Sequence, residues 1–220
     1  MHSFSVTLVG YDRYNDRMRK LDLVKKGYDS MAKEYLANRE RLKSGKYLQK
    51  FLKYLPKNST ILDLGCGAGV PVDDVLIKAG HTVVGIDISP EQIKLARKNC
   101  PKGQYMVGDI AELTAREYVV QGVVMFYTLF HLPRTAHARI LRVIAENMVT
   151  GGLLLVTMGD RPFEGEHKLY GQPMWSSQWG TAENRRMIEK AGFRIIVDEM
   201  DLSGGERHQI ILAQKYEKNN

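Results

Sequence analysis

Ile61-Leu62-Asp63-Leu64-Gly65-Cys66-Gly67-Ala68-Gly69 is the stretch on which the fold of this chain turns. Its apolar part reads as a central parallel strand, covered on both faces and carrying one buried acid. Three glycines at alternate positions follow. They have no Cβ, so the backbone can turn sharply and come close to a ligand. A helix is expected from about Pro71. Strand, glycine loop and helix N-terminus together make a nucleotide site in a doubly wound sheet.

The spacing is G-x-G-x-G, whereas dinucleotide sites carry G-x-G-x-x-G; here Val70 and Pro71 follow Gly69. Asp63 stands two residues before the first glycine. A carboxylate there repels a pyrophosphate and attracts a cationic amino group or a sulfonium. With these details the chain resembles the class I S-adenosylmethionine-dependent methyltransferases, over roughly residues 25 to 215. The resemblance implies that Gly65, Cys66, Gly67 and Gly69 wrap the amino-acid end of the cofactor and that Asp63 is the loop acid. As a residue type in such a loop, Cys66 is expected to be a small filler rather than a nucleophile.

A chain of 220 residues can bury a substantial core without disulfides or metal. A hydrophobic fraction of 44% and a charged fraction of 26% are those of a globular protein, which excludes a disordered or fibrous chain. No apolar run reaches the length of a transmembrane helix. No basic segment with an apolar core and cleavage site opens the sequence. Neither a membrane partner nor secretion is therefore expected. Cys66 and Cys100 are the two cysteines; without a C-x-x-C or His/Cys cluster they fit a reducing cytoplasm and no structural metal. The net charge of +7 is uneven. Residues 1–60 hold fourteen Lys or Arg against six Asp or Glu, so the remainder carries a charge of −1. Such a segment can touch nucleic acid, an anionic membrane or an acidic substrate, but its aromatics recur at helical spacing, which favours solvated faces of amphipathic helices.

Along the chain, residues 1–20 show no clear period and read as an arm. Helices are expected over 22–40 and up to Tyr54, then strand and helix alternate. The elements are a helix from Pro71 to Ala79, a strand from Thr82 to Ile86, and a helix opening at Ser89-Pro90-Glu91-Gln92 with Gln92 closing a capping box. Strands follow at Gln104–Val107 and within Val119–Thr128. After them come a helix at Arg134–Asn147, a strand at Leu153–Thr157, a helix at Thr181–Lys190, and strands at Phe193–Val197 and Gln209–Ala213. Alternation of this kind implies an α/β, doubly wound, mostly parallel sheet. The resemblance implies seven strands, the last antiparallel, with residues 1–57 as an N-terminal arm and helical cap and 58–220 as the S-adenosylmethionine-binding domain.

Asp87 ends the second strand, where a carboxylate can take both ribose hydroxyls; Ile88 beside it can cover one face of the adenine. Asp109 and Ile110 end the third strand and match the acid and amide that meet adenine in the resembling family. After the fourth strand, Phe126-Tyr127-Thr128-Leu129-Phe130-His131-Leu132-Pro133-Arg134 resembles a small-molecule branch of that family. This implies that Phe126 faces the methionine portion of the cofactor. One departure is that Val120-Gln121-Gly122 stands where relatives carry an Asp before the fourth strand. Tyr28-Asp29-x-x-Ala32-x-x-Tyr35-x-x-x-Arg39 resembles the family's N-terminal signature. Its aromatics would close over the cofactor, and Arg39 would pair with the cofactor carboxylate.

His131 is the candidate general base, since it follows a strand end on the ligand side and His titrates near neutrality. Residues 160–180 read as a long loop overhanging the acceptor, from which Tyr170 or Trp175 can stack on a planar or cationic substrate. Tyr35, Tyr127, His131, Tyr170 and Trp175 are the expected substrate residues. The expected activity is S-adenosylmethionine-dependent methyl transfer to a small-molecule acceptor by in-line displacement. The rivals are transfer to RNA or protein, a cofactor-binding regulator without transfer, and a nicotinamide oxidoreductase, which the loop spacing disfavours. RNA is the weaker partner, since no N/D-P-P-Y/F segment follows the fourth strand. No motif speaks to the oligomeric state.

Overall fold

The computed structural model describes residues 4–38, 45–203 and 207–216. Among these described residues nine strands form two sheets. β1 (Thr60–Leu64), β2 (Thr82–Asp87), β3 (Gln104–Val107), β4 (Val120–Met125), β5 (Met148–Gly159), β8 (Phe193–Asp201) and β9 (His208–Lys215) make one sheet in the order β3-β2-β1-β4-β5-β9-β8. β1 to β5 run parallel, while β9 is antiparallel to both β5 and β8. The expected seven-stranded sheet is therefore present, with its last strand reversed. β6 (Phe163–Leu169) and β7 (Gln172–Gln178) form a separate antiparallel hairpin.

The central strands are apolar on both faces because both faces are covered. From β1 and β4, Leu62, Leu64, Val123 and Met125 face α5 (Arg134–Glu146) and α6 (Thr181–Lys190), where they meet Ile140, Ile144 and Ile188. The alternate residues Ile61 and Val124 face α2 (Gly45–Tyr54) and α3 (Val72–Lys78), packing with Phe51 and Leu76. α4 (Pro90–Asn99) starts as expected: Ser89 caps it, its Oγ accepting the Gln92 N–H at 3.1 Å, and Pro90 follows. The capping box is not completed. The Ser89 N–H goes to Asp87 instead, at 2.9 Å.

Two expectations are corrected. The described part of the expected arm, from residue 4 to 20, is helical: α1 runs unbroken from Phe4 to Asn38. Its apolar period is weak because much of its docking is ionic. Arg19 reaches Glu166 at 3.3 Å and Lys20 reaches Glu164 at 3.6 Å, both on the hairpin. At Gly27 of α1 a Cβ would collide with Met174. Residues 160–180 are not a loop but the β6–β7 hairpin. Its two turn residues, Tyr170 and Gly171, both take positive φ (48° and 75°), as a tight hairpin turn requires. Tyr in place of the usual Asn or Asp hid that turn. β5 also starts earlier than expected, at Met148, and carries an irregularity in its pairing with β4. Among the described residues no helix is long and apolar enough to cross a membrane.

Candidate active site

The site forms where β1, β2, β3 and β4 end. Gly65, Gly67 and Gly69 all take positive φ, at 81°, 53° and 76°, angles a residue with a Cβ holds only under strain. Gly65 is also closely approached, since a Cβ there would collide with the Thr128 side chain. The N–H groups of Gly65 and Cys66 donate to the Ile86 carbonyl at 2.7 and 3.2 Å, which folds the loop over the end of β2. Asp87 fastens it there: its Oδ2 accepts the Gly67 N–H at 2.9 Å and its Oδ1 accepts the Ser89 N–H.

Beside this loop lies a cleft, partly open to solvent. The sheet side supplies Gly65, Gly67, Asp87, Ile88, Asp109 and Ile110. The segment after β4 supplies Phe126, Tyr127 and His131, and α1 closes over it with Tyr28 and Tyr35. Sequence reasoning named all of these. Asp109 accepts the Ala111 N–H at 2.8 Å through Oδ1 and the Arg17 guanidinium at 3.0 Å through Oδ2.

Other expected residues stand back from the cleft. Asp63 is 3% exposed inside β1, between Gly85 of β2 and Val124 of β4. Cys66 is buried with Ile93, Ala96, Cys100 and Tyr105. Burial, then the charges of Asp63, Asp73 and Asp87, push its thiol well above the ordinary range, so it holds its proton. Gly69 sits against Cys100 and Tyr105. The Trp175 ring is buried with Val24, Met31 and Met174 beneath α1, and Lys20 Nζ lies 4.8 Å from its centre. Tyr170 is exposed at the hairpin tip and meets Tyr35 edge-on at 6.0 Å. Arg39 lies outside the described residues.

His131 is held from both sides. Its Nδ1 is 3.0 Å from the Trp175 carbonyl and its Nε2 is 2.9 Å from the Tyr28 hydroxyl. Burial lowers its pKa to about 4, against a partial rise from the Trp175 carbonyl. Arg134 N–H donates to Ser177 Oγ at 3.0 Å and Trp179 Nε1–H donates to the Arg134 carbonyl at 3.0 Å. The outer edge of β7 therefore clamps the segment after β4.

Residues 61–152 match the family described as a methyltransferase domain. That match and the named relatives support a class I S-adenosylmethionine-dependent methyltransferase. The chain is 27% identical over 134 residues to a trans-aconitate 2-methyltransferase of Methylobacterium nodulans, covering 57% of this chain and 50% of that protein. The chain spans about half the length of the curated relatives that it matches first. Among solved structures, it matches the Burkholderia thailandensis 1,6-didemethyltoxoflavin-N1-methyltransferase with bound S-adenosylhomocysteine. The TM-score is 0.72 at 16% identity, covering 91% of each chain. The magnesium protoporphyrin IX methyltransferase of Synechocystis PCC 6803 with bound S-adenosylmethionine superposes with a TM-score of 0.69 at 17% identity, covering 89% of this chain and 97% of that one.

The cofactor of this methyltransferase family fits a residue the sequence reading assigned only to a helix cap. Gln92 is 1% exposed and lines the cleft, yet its Oε1 and Nε2 have no hydrogen-bond partner. An unpaired buried amide costs roughly 1–3 kcal/mol. A ligand edge that offers both a donor and an acceptor, as adenine does, relieves that cost beside Asp87 and Ile88. The only sequence signal for this role was a polar residue on the inner face of α4. The departure at Gln121 has a structural explanation. Its Oε1 accepts the Thr60 N–H at 2.8 Å and ties the start of β4 to the start of β1, at the opposite end of the strands from the cleft.

Proposed function

We propose that this methyltransferase moves the methyl group of S-adenosylmethionine to a small-molecule acceptor by in-line displacement. The carrying observation is the cleft itself: α1 lies over it, and Tyr28, Tyr35, Phe126 and Tyr127 line its wall. Such a site suits a ligand that can be enclosed. The bound cofactor supplies an electrophilic methyl group on a sulfonium. The chain's share is to hold donor and acceptor in line and exclude water. Asp87, Gln92, Asp109 and Ile110 hold the adenosine end in this reading. The glycine loop, with Asp63 buried beneath it, holds the amino-acid end, and Phe126 faces the methionine portion. His131, with its pKa lowered to about 4, is a weak base and serves better as a neutral positioning group.

The basic N-terminal segment does not favour an RNA acceptor. Arg17, Arg19, Lys20 and Lys26 of α1 each lie within 3.3 Å of a carboxylate oxygen, so their charge is already engaged. Two buried free thiols support placement in the cytoplasm.

The test has two steps. S-adenosylmethionine and S-adenosylhomocysteine should raise the melting temperature, and NAD should not. Label from methyl-labelled cofactor should then pass to members of a panel of small amines, thiols, phenols and carboxylates. Stabilisation by NAD alone would overturn the cofactor assignment. Label entering RNA or protein, or cofactor binding without transfer to any class, would overturn the small-molecule reading.

A further inference from the structure

The hydrogen-bond polarity around His131 bears on which acceptors the cleft takes. The Trp175 carbonyl oxygen can only accept a hydrogen bond, and it lies 3.0 Å from His131 Nδ1. The proton of the neutral ring is therefore on Nδ1. That leaves a lone pair on Nε2. The Tyr28 hydroxyl is 2.9 Å from Nε2, so Tyr28 is the donor in that contact. A phenol has one proton, and His131 takes it. Towards any further partner the Tyr28 oxygen can only accept.

The surroundings keep His131 in this state. The Phe130 ring packs at 4.9 Å and Tyr28 meets the imidazole edge-on at 5.4 Å. His167 on β6 acts on the ring in the direction that disfavours a second proton. The carbonyl that fixes the tautomer belongs to β7, whose edge is bound to the segment after β4 at Ser177 as well. The polarity is thus set by the hairpin backbone. Among the described residues that line the cleft there is no Lys or Arg; the acids Asp87 and Asp109 both stand at strand ends.

We propose that Tyr28, oriented by His131 and the Trp175 carbonyl, is a specificity-determining hydrogen-bond acceptor at the acceptor end of the cleft. The class of substrate it selects bears an N–H or O–H at or beside the methylated atom: a phenol, an enol or an amine. A carboxylate brings no proton to Tyr28 and finds no cation in the described wall. His131 acts through Tyr28 and is a positioning residue. The proposal rests on the methyltransferase reading above.

Two measurements test it. The first needs no ligand. In protein labelled with ¹⁵N at histidine, with the His131 signals assigned by their loss in His131→Asn, long-range proton–nitrogen correlations at pH 7 should show a protonated Nδ1 and a bare Nε2. The reverse tautomer, or an imidazolium, overturns the proposal. The second uses protein saturated with S-adenosylhomocysteine and a matched pair of probes, 4-methylphenol and 4-methylbenzoate. The phenol should bind at least about 10-fold tighter, about 1.4 kcal/mol, and Tyr28→Phe should abolish that preference while the protein stays saturated with S-adenosylhomocysteine. Equal binding, a preference for the benzoate, or a preference that Tyr28→Phe leaves intact overturns it. Failure of S-adenosylhomocysteine to bind at all would fault the methyltransferase reading instead, and the tautomer measurement would still decide the polarity.

Discussion

Arg17 of α1 and Asp109 at the end of β3 form an ion pair at 3.0 Å, joining the helix over the cleft to a strand end that lines it. Arg17 also holds Glu112 at 2.5 Å, and that bond, with the charge of both acids, raises the guanidinium pKa further. Part-exposed pairs of this kind are worth about 0–1 kcal/mol. Arg17→Ala should therefore cost the fold less than about 1 kcal/mol, yet speed the release of S-adenosylhomocysteine several-fold. Stopped-flow displacement reads the rate; an unchanged rate would mean that α1 does not restrain the cofactor.

Asp87 joins two backbone donors, Gly67 N–H and Ser89 N–H, while its carboxylate lines the cleft. Asp87→Ala should lower affinity for S-adenosylhomocysteine by roughly 10- to 150-fold, the worth of hydrogen bonds to a charged group. It should also lower stability by about 1–3 kcal/mol, because a loop donor loses its partner. Calorimetric titration and urea denaturation separate the two losses. Full affinity with reduced stability would leave Asp87 as a loop fastener alone.

Gln92 makes a prediction with opposite signs. Gln92→Met keeps the volume and removes two unpaired buried polar atoms. The ligand-free protein should become more stable, by up to about 1 kcal/mol, while affinity for S-adenosylhomocysteine falls by about 5-fold or more. A purely structural residue would move stability without moving affinity. Parallel changes, or no change in affinity, would remove Gln92 from the site.

His137 governs acid stability. It is 2% exposed, its Nε2–H donates to the Leu132 carbonyl at 3.0 Å, and its Nδ1 has no partner. Burial lowers its pKa to about 4, whereas an unfolded His titrates near 6.5. The unfolded chain therefore binds the proton first. The contribution of His137 is fully present above pH ~6.5 and is lost as pH falls towards 4, at up to about 1.4 kcal/mol per pH unit. His131 pulls in the same direction, less strongly because its ring borders the cleft. Urea denaturation at pH 7 and pH 5 should show the fall, and His137→Gln should flatten it. An equal slope in that variant would mean that other groups carry the acid sensitivity.

The sheet was legible because its central strands are apolar on both faces and end in turn chemistry that names itself: the alternate glycines after Leu64 and Ser89-Pro90 before α4; Gly151-Gly152 misled, since both lie inside β5. The cleft residues at strand ends, Asp87, Asp109 and Phe126, were legible for the same reason, since topology fixes where a strand end points. The hairpin was not. β6 alternates Glu164, Glu166 and Lys168 with Phe163, Gly165, His167 and Leu169, none of them fully buried, and its partner buries Met174 and Trp175 against α1. The apolar signal thus belongs to an inter-element contact that no local period encodes. Trp175 was read as a substrate platform from its residue type, while its carbonyl is the group that faces His131. Gln92 was hidden because capping chemistry explained it well enough.

The place of β9 between β5 and β8 has a consequence for synthesis. A ribosome releases both neighbours before the strand that joins them. Until residues 208–215 emerge, β5 carries an open edge along Leu153–Val156 and β8 has no partner in the sheet. Open apolar edges invite pairing with other chains. A transcript broken between codons 160 and 207 would therefore yield an adhesive fragment rather than a smaller working domain, and the nascent chain needs shelter for as long as that gap takes to translate.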